Sequence, residues 1–476
     1  MLQGHRGWGL GFVAAVLLGL SWAGVGEAAP GDLDPTFGTG GMAVSFGPKD
    51  VVRAMVQQPD GKLVGAGTSF TVSVGYLLLV RYLPDGRGDP AFGAGGKVTI
   101  PAGHGSSATA LVLQADGKLV VAGSATGETS SPDTPPKRDL LLARLSPDGH
   151  LDAPFGSGGL LTTTVESNSA AFALLQQPDG KLVVAGTSDP APANNFTPTA
   201  FLVRYHEDGR VDASFGTEGT VTLGRGGVPG GGVPGALLLQ PDGKLVVALP
   251  GSPLRVVRVL PGGRPDPSFG SEGAVTMGSA DPAVSLVQQP DGKLVVANSK
   301  VLTRLHGDGG LDASFGAGGI ALLGIPREAS GTPVLVLQPD GKLVVAGYAI
   351  LHHPITTPPL SDLLLTRVQP DGRPDPSFGT RGTVTTTVEQ GSSAGAALLR
   401  QPDGTLVLAS SRVAFVAVSL SPTSSTFSSR GMKPWGARPS IPSPASPTWR
   451  PSSPTCTSRR WRGRPTPRKW PLGWMC

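Results

Sequence analysis

Residues 108–123 read Ala-Thr-Ala-Leu-Val-Leu-Gln-Ala-Asp-Gly-Lys-Leu-Val-Val-Ala-Gly. Two apolar runs flank a turn that contains a glycine, which is the pattern of a β-hairpin. In the commoner Gln-Pro-Asp-Gly-Lys-Leu form, proline fixes φ, aspartate can hydrogen-bond the local backbone, and glycine supplies a positive φ. Small departures are Ala115 for proline and Thr405 for lysine. The motif predicts seven hairpins, with turn glycines at Gly61, Gly117, Gly180, Gly243, Gly292, Gly341 and Gly404.

A second motif, Asp-x-x-Phe-Gly-x-x-Gly, alternates strictly with the first. Between the two motifs lies a third apolar run such as Leu140-Leu-Leu-Ala-Arg-Leu, and a short fourth run follows, such as Lys97-Val-Thr-Ile. Each repeat therefore predicts four antiparallel strands. We expect the motif phenylalanines to pack between one repeat and its neighbour; they are Phe37, Phe92, Phe155, Phe215, Phe269, Phe315 and Phe378.

The strand count predicts a closed ring. The first fourth-type strand, Met42-Ala-Val-Ser-Phe, precedes the first hairpin, and the last third-type strand, Val413-Ala-Phe-Val-Ala-Val, has no clear partner after it. If the N-terminal strand completes the last sheet, the exposed edges of an open array disappear. Residues 32–420 then give about 56 residues per repeat, near the size of other four-stranded propeller repeats. The sequence thus predicts an all-β, seven-bladed β-propeller of four-stranded antiparallel blades; an open β-solenoid is the alternative.

The paired motifs carry a family resemblance. Gln-Pro-Asp-Gly-Lys-Leu-Val-Val-Ala-Gly and Asp-Gly-x-x-Asp-x-x-Phe-Gly-x-x-Gly resemble the delta-60 repeat of bacterial proteins, and the resemblance covers residues 32–420. It implies a β-propeller that is often found in exported proteins, and it brings no catalytic residues to carry over.

Composition excludes several protein classes. With 70 Gly and 47 Pro among 476 residues, a helical bundle is disfavoured, because helix interiors tolerate neither residue well. Two cysteines exclude a disulfide scaffold and a cysteine-based metal framework. Ten of the 39 basic residues lie in 421–476, which has no acidic residue, so 1–420 hold 29 basic against 34 acidic residues, a formal charge of −5. We therefore expect no nucleic-acid partner for the body of the chain.

The two ends of the chain differ from the repeats. Residues 1–28 predict a signal peptide, since an uncharged run is followed by Gly26 and Ala28 in a cleavage pattern. An uncleaved membrane anchor is the alternative. Residues 29–420 form the predicted propeller. Residues 421–476 are a basic tail rich in Ser, Pro, Arg and Trp, where the expected Asp-Gly and Asp-x-x-Phe-Gly do not follow Pro422. A frameshifted reading, a disordered tail and a binding arm are the interpretations considered.

The repeats point to where a site could lie. The motif turns are nearly invariant and fall at one end of each blade, whereas the other loops differ in length and content, as binding faces of repeat proteins do. The chemically distinctive residues of these variable loops are His104, Lys137, Arg138, His352 and His353. The repeated turn aspartates are better explained by side-chain to backbone hydrogen bonds than by a metal, because the interleaved pattern of a calcium loop is missing. We predict no metal and no cofactor.

The predicted function is a binding or cell-surface interaction module, exported to the periplasm or outside the cell. No Gly-x-Ser-x-Gly, His-Glu-x-x-His or Walker motif occurs, so we predict no catalytic residues. We expect a protein or glycan partner on the variable-loop face. We expect the mature chain to be a monomer that is not bound to the membrane. The alternative is a carbohydrate-active hydrolase or lyase that uses carboxylates on that face, since propellers also host enzymes.

Overall fold

The computed structural model describes residues 30–44, 47, 49–71, 74–127, 137–166, 168–188, 198–225, 235–251, 253–278, 284–324, 333–351, 360–387, 395–410 and 413–419. In these residues it contains 28 β-strands and no helix. No described helix could therefore cross a bilayer. Residues 1–29 and 420–476, which include the predicted signal peptide and tail, lie outside the described part.

The strands form seven four-stranded antiparallel sheets, or blades. Blades 1 to 6 each use four consecutive strands, and blade 7 combines β26, β27 and β28 with β1. Their bounds in chain order are β1 Met42–Val44, β2 Asp50–Gln57, β3 Leu63–Phe70, β4 Gly75–Tyr82, β5 Lys97–Ile100, β6 Gly105–Leu113, β7 Leu119–Thr126, β8 Arg138–Leu145, β9 Leu160–Thr163, β10 Ala170–Gln176, β11 Leu182–Ser188, β12 Thr199–Tyr205, β13 Thr220–Arg225, β14 Ala236–Leu239, β15 Leu245–Leu249, β16 Leu254–Val259, β17 Ala274–Met277, β18 Ser285–Gln288, β19 Leu294–Ala297, β20 Val301–Leu305, β21 Ile320–Leu322, β22 Val334–Leu337, β23 Leu343–Leu351, β24 Leu360–Val368, β25 Thr383–Thr387, β26 Gly395–Arg400, β27 Leu406–Ser410 and β28 Val413–Val418.

The blades close into a ring. The first strand of each blade contacts the first strand of the next, from β2 and β6 round to β22 and β26, and β26 contacts β2. The first strands are therefore innermost, and the fourth strands lie at the outside. This arrangement confirms the predicted seven-bladed β-propeller and excludes the open solenoid.

The hairpin motif forms the turn that the sequence predicts. In blade 1 the Gly61 amide donates to the Gln58 carbonyl at 2.9 Å, the Gln58 amide donates to the Lys62 carbonyl at 2.8 Å, and the Lys62 amide donates to Asp60 Oδ1 at 3.2 Å. The seven turn glycines have φ between +82° and +97°, a backbone conformation that glycine alone adopts without strain. The motif aspartate and glycine therefore have structural roles.

The two ends of the described chain meet in blade 7. Strand β1 pairs with β28, and Met42 lies opposite Val416. The contact extends into a turn, because the Gly31 amide donates to the Ser419 carbonyl at 2.7 Å and the Ser419 amide donates to the Asp32 carbonyl at 2.9 Å. The N-terminal segment thus supplies both the fourth strand and the second half of the seventh motif turn. A further Asp-Gly after Pro422 is not needed to complete blade 7, and the origin of 421–476 stays a prediction.

Loop lengths divide the ring into two faces. The turn between first and second strands has five residues in every blade, and the turn between third and fourth strands has fourteen in blades 1 to 6. We call the face with these turns the constant face. The loops at the opposite ends of the strands have between two and eleven residues, and we call that side the variable face.

The hydrophobic core lies between blades. Phe215 at the end of blade 3 is fully buried in a cluster that includes Val183 and Leu202 of its own blade and Leu245 of blade 4. Equivalent clusters hold the other motif phenylalanines, all of which are at most 3% exposed. The predicted position of these rings between neighbouring blades is confirmed.

The substitution Phe37→Ala tests the closure. Phe37 is 3% exposed and packs at the junction of blades 7 and 1 with residues such as Tyr82 and Phe415. Its truncation should lower the free energy of unfolding by about 3–5 kcal/mol, because it leaves a cavity between the blades. The measurement is the urea midpoint followed by circular dichroism. The matched control is Phe70→Ala, since Phe70 is 46% exposed and should change stability by about 0.5 kcal/mol or less. Equal effects of the two substitutions would contradict the described closure.

Candidate functional site

The constant face is built on an arginine that joins two blades. In blade 3, Arg204 Nε donates to Asp212 Oδ2 at 2.8 Å, and Nη1 donates to the Pro261 carbonyl of blade 4 at 2.7 Å. The guanidinium carbon lies 4.5 Å from the centre of the Phe215 ring, which gives a cation–π contact. Lys181 of the hairpin turn adds a second cation, 3.2 Å from Asp212. We call the arginine, aspartate, phenylalanine and lysine together the blade clamp.

Blades 1 to 6 each contain a clamp. Their guanidinium carbons lie 4.5–4.6 Å from the ring centres, and Nε lies 2.6–2.8 Å from the aspartate. The sequence interpretation assigned the phenylalanine but missed the arginine. A signal was present, because the arginine and aspartate are always eight residues apart; the pairs are Arg81 and Asp89, Arg144 and Asp152, Arg204 and Asp212, Arg258 and Asp266, Arg304 and Asp312, and Arg367 and Asp375.

The clamps of blades 3 to 6 lower the pKa of their aspartates. For Asp375, burial acts to raise the pKa, but hydrogen bonds from the Ser377 side chain and amide, and the charges of Arg367 and Lys342, lower it to about 2. Asp266 has a pKa of about 2 for the same reasons. The pKa values of Asp212 and Asp312 lie further below the ordinary range. Carboxylates held in this way stabilise the fold at neutral pH and do not act as general acids.

Blade 7 lacks both cations of the clamp. Ala417, opposite Val407, stands where the other blades have arginine, and Thr405 stands where they have lysine. Asp34 is retained, and it accepts hydrogen bonds from the Thr36 hydroxyl at 2.6 Å and the Thr36 amide at 2.9 Å. The junction of blades 7 and 1 keeps Phe37 and a backbone bond from the Gly38 amide to the Asp85 carbonyl at 2.7 Å. The closing junction therefore depends on packing and backbone pairing.

The variable face brings together three of the five predicted binding residues. The His104 amide donates to the Thr126 carbonyl at 2.8 Å, and Thr126 lies opposite Arg138 across strands β7 and β8. Lys137 precedes Arg138, and its carbonyl accepts from the Gly127 amide at 2.8 Å. All three predicted residues are exposed at one edge of blade 2. His352 and His353 lie outside the described residues, so their part in a site stays a prediction.

A polar loop beside Arg138 was missed by sequence reasoning. Loop 164–169 joins blades 2 and 3, and Asn168 Oδ1 accepts from the Arg138 amide at 3.3 Å. Asp139 Oδ1 accepts from the Thr164 hydroxyl at 2.8 Å, and Glu166 Oε2 accepts from the Ser188 hydroxyl of blade 3 at 2.9 Å. These residues belong to no repeated motif, so no periodic signal marked them.

The blade 2 edge of the variable face presents hydrogen-bond donors and acceptors. Among the described residues, no group of three or more His, Cys, Asp or Glu side chains is placed to hold a metal ion. The exposed groups of the blade 2 edge are a guanidinium, an ammonium, an imidazole and carboxylates that already accept hydroxyl hydrogen bonds. Such a surface can bind a polar ligand through several hydrogen bonds.

Seven four-stranded antiparallel blades in a ring define the protein as a β-propeller. The family model described as "Domain of unknown function (DUF5122) beta-propeller" matches residues 58–92, 114–155, 177–215 and 338–352. The matched segments contain hairpin turns and motif phenylalanines, and over these segments the chain is similar to a β-propeller repeat family. A comparison with curated protein sequences gives no match.

Several solved structures are similar at low identity. Virginiamycin B lyase from Staphylococcus aureus is 12% identical with a TM-score of 0.46, over 80% of this chain and 98% of the lyase. Sqt1 from Chaetomium thermophilum is 14% identical with a TM-score of 0.41, over 80% of this chain and 97% of Sqt1. An α-L-arabinofuranosidase from Fusarium graminearum is 11% identical with a TM-score of 0.43, over 72% of this chain and 97% of that enzyme. None of these likenesses bears on the activity of this chain.

The substitution Asp375→Asn tests the clamp through pH. The folded-state pKa is below the unfolded value, so the stabilisation is fully present above about pH 4 and is lost as pH falls through about 2. Asp375→Asn should lower the free energy of unfolding by about 1–3 kcal/mol at pH 7, and the difference from wild type should shrink between pH 4 and 2. Urea unfolding between pH 7 and 2 measures the loss of stability at pH 7 and its decrease at low pH.

The matched control for this experiment is Asp371→Asn. Asp371 lies in the same repeat, but its side chain is 53% exposed and pairs with Arg373. We expect this substitution to lower the free energy of unfolding by about 0.5 kcal/mol or less at every pH. If the difference in free energy of unfolding between Asp375→Asn and the wild type stays constant down to pH 2, the carboxylate charge of Asp375 does not stabilise the fold.

The substitution Thr405→Lys tests the incomplete clamp of blade 7. A lysine there should reach Asp403 and Asp34, as Lys62 reaches Asp60 at 3.0 Å and Asp89 at 3.5 Å. We expect a gain of about 0.2–1 kcal/mol in the free energy of unfolding, reduced by added salt. Thr405→Met gives a side chain of similar length without charge. If the two variants are equally stable at low salt, the charge explanation is wrong.

Proposed function

We propose that the protein is an exported β-propeller of the delta-60 type that binds a protein or glycan partner through its variable face. In this proposal residues 1–28 are removed on export, the mature chain is a monomer in the periplasm or outside the cell, and the partner is neither nucleic acid nor membrane. The protein acts by binding.

The single observation that carries the proposal is the difference between the two faces. On the constant face every hairpin turn has five residues and every turn that carries the phenylalanine motif in blades 1 to 6 has fourteen. The phenylalanine, aspartate and lysine of these turns belong to the clamps that hold blade to blade, so these side chains are committed to the fold. On the variable face the loops run from two to eleven residues. Loops that differ in length and content between repeats are where binding residues concentrate in repeat proteins.

The chemistry of the two faces supports the same assignment. The buried clamp aspartates are neutralised by arginine and lysine of their own blade. At the blade 2 edge of the variable face, Lys137 and Arg138 are exposed, and the Arg138 guanidinium makes no ion pair or hydrogen bond with the described residues. An exposed guanidinium can pair with an acceptor group of a partner.

Site-specific photocrosslinking tests which face meets the partner. A photoreactive phenylalanine analogue replaces Arg138 on the variable face or Arg210 on the constant face of the full exported chain. Both arginines are exposed, and the Arg210 side chain is 82% exposed and pairs with Asp208 of its own turn. Irradiation of intact cells should give adducts from position 138 and none from position 210, as read by mass on a denaturing gel.

Two outcomes contradict the proposed function. Adducts from position 210 alone would place the partner on the constant face. Absence of adducts from position 138, and from a second probe at Lys137, would show that the blade 2 edge meets no partner. The alternative function, a carbohydrate-active hydrolase or lyase, is checked by incubating the purified chain with polysaccharides and measuring new reducing ends or unsaturated products. Turnover would show that the protein is an enzyme and would contradict the proposed binding module.

A further inference from the structure

The innermost strand of blade 1 contains a β-bulge at Arg53. The pairing of β2 with β3 shifts by one residue between Val52 and Ala54, so Arg53 has no partner on β3. A bulge re-aims the side chain of its extra residue, and bulges are over-represented next to active sites. Equivalent bulges in the innermost strands of other blades occur at Thr109, Phe172 and Ala396.

A glycine of the second strand makes room for the bulges of blades 1 and 2. It is the last residue of the Leu-Val-Val-Ala-Gly stretch, and a methyl group on Gly67 would overlap the Val51 carbonyl oxygen of the inner strand. The equivalent Gly123 meets a carbonyl oxygen of its own inner strand in the same way. In blades 4 and 5, Leu249 and Asn298 replace this glycine, and the described pairing of the first two strands has no bulge. The motif glycine therefore decides where an inner strand can bulge.

The bulge places the Arg53 side chain at the central channel. Val52 and Met55 of β2 pack in the core between blades 7 and 1. Ala54 and Val56 pack in the core between blades 1 and 2. Arg53 is nevertheless exposed, and a side chain in the middle of the innermost strand, between two covered faces, reaches solvent through the channel. It lies three residues from the variable-face end of β2, about 10 Å along the channel.

Each inner strand contributes one residue at the Arg53 level, five positions before the motif glutamine. The Thr109 hydroxyl donates to the Ala171 carbonyl of blade 3 at 2.9 Å. The Phe172 ring lies beside Gly235 of blade 4, because a methyl group on Gly235 would be 2.9 Å from Phe172 Cε2. These two side chains are therefore engaged by the next blade. The residues at this level are Arg53, Thr109, Phe172, Gly235, Val284, Pro333 and Ala396, of which Arg53 is the charged one.

Arg53 has no counter-ion among the described residues. It makes no hydrogen bond or ion pair with them. In the seven inner strands the acidic residue is Asp50, which is buried and accepts hydrogen bonds from Lys97 Nζ at 2.7 and 2.9 Å. A guanidinium among uncharged groups in a narrow channel attracts anions strongly, because low-dielectric walls concentrate its field. A carboxylate suits it best, since the guanidinium can donate two parallel hydrogen bonds.

We propose that Arg53 binds the carboxylate of a uronic acid in an acidic oligosaccharide that enters the channel from the variable face. This inference rests on the proposed function and names its ligand. Neighbouring inner strands have Cα atoms within 8 Å of one another, so their ring is too narrow for a folded domain of about 30 Å. An extended peptide would need a regular row of backbone groups, which the bulges interrupt. Each sugar hydroxyl both donates and accepts, so an oligosaccharide needs no such register.

Two substitutions of Arg53 test the site without disturbing the fold. Arg53→Gln removes the charge from an exposed side chain and keeps an amide that can still donate a hydrogen bond. Arg53→Lys keeps the charge but loses the two parallel donors. The matched control is Arg87→Gln, since Arg87 is exposed on the constant face of the same blade and pairs with Asp85. Unchanged urea midpoints show that each variant is folded.

The probes are tetra- to hexasaccharides of galacturonate, mannuronate and glucuronate, titrated into the purified exported chain by calorimetry. The same oligosaccharides with methyl-esterified carboxylates serve as uncharged counterparts. We expect saturable binding of at least one acidic probe, weakened tenfold or more by esterification and by Arg53→Gln. Arg53→Lys should weaken it less, and Arg87→Gln should leave it unchanged.

Three results overturn the assignment of an acidic oligosaccharide to Arg53. They are failure of all acidic probes to bind, binding that survives Arg53→Gln, and tighter binding of hexaglutamate that depends on Arg53 in the same way. The last result would identify an acidic peptide as the ligand. Crosslinking from position 138 in cells is an independent measurement, so a partner on the variable face would still be detected if the channel site fails.

Discussion

The guanidinium that bridges two blades is the interaction on which the ring depends. Arg204 binds Asp212 of its own blade and the Pro261 carbonyl of the next, while its flat face covers Phe215. A sheet edge alone could pair with any other sheet edge. The arginine contact is more specific, because the guanidinium of one blade donates to a carbonyl of the next blade in chain order. Because the arginine, aspartate and phenylalanine come from one third strand and its turn, each repeat carries its own means of attachment.

Blade 7 shows that a junction can close without the cations of the clamp. Its clamp has lost both cations, yet Phe37 and the backbone bond from Gly38 to Asp85 are kept. The covalent connection is the same at every junction, because the fourth strand of each blade leads into the first strand of the next, as β1 leads into β2. The packing of Phe37 and the pairing of β1 with β28 therefore hold this junction with Ala417 and Thr405 in place of the cations.

Most of the fold could be predicted from the sequence because its determinants are local. A Pro-Asp-Gly turn fixes its own backbone, so the seven hairpins and the N-terminal strand of blade 7 followed from the motifs. The clamp was not predicted, although an arginine such as Arg204 recurs eight residues before each motif aspartate of blades 1 to 6, because that spacing does not show which groups of the next blade the guanidinium contacts. On the variable face, residues such as Arg138 stood out by charge, whereas Asn168 and Glu166 are recognised only through their hydrogen bonds to residues on other strands.

The separation of stabilising and recognition elements has a consequence for how this propeller can change. All clamps lie at the end of the blade where turn lengths are fixed at five and fourteen residues, so a change of length there would move an arginine away from its acceptor in the next blade. At the other end, loops of two to eleven residues occur within one molecule and the ring still closes. New side chains can therefore be added to the variable face with little effect on stability, since none of the inter-blade clamps passes through it.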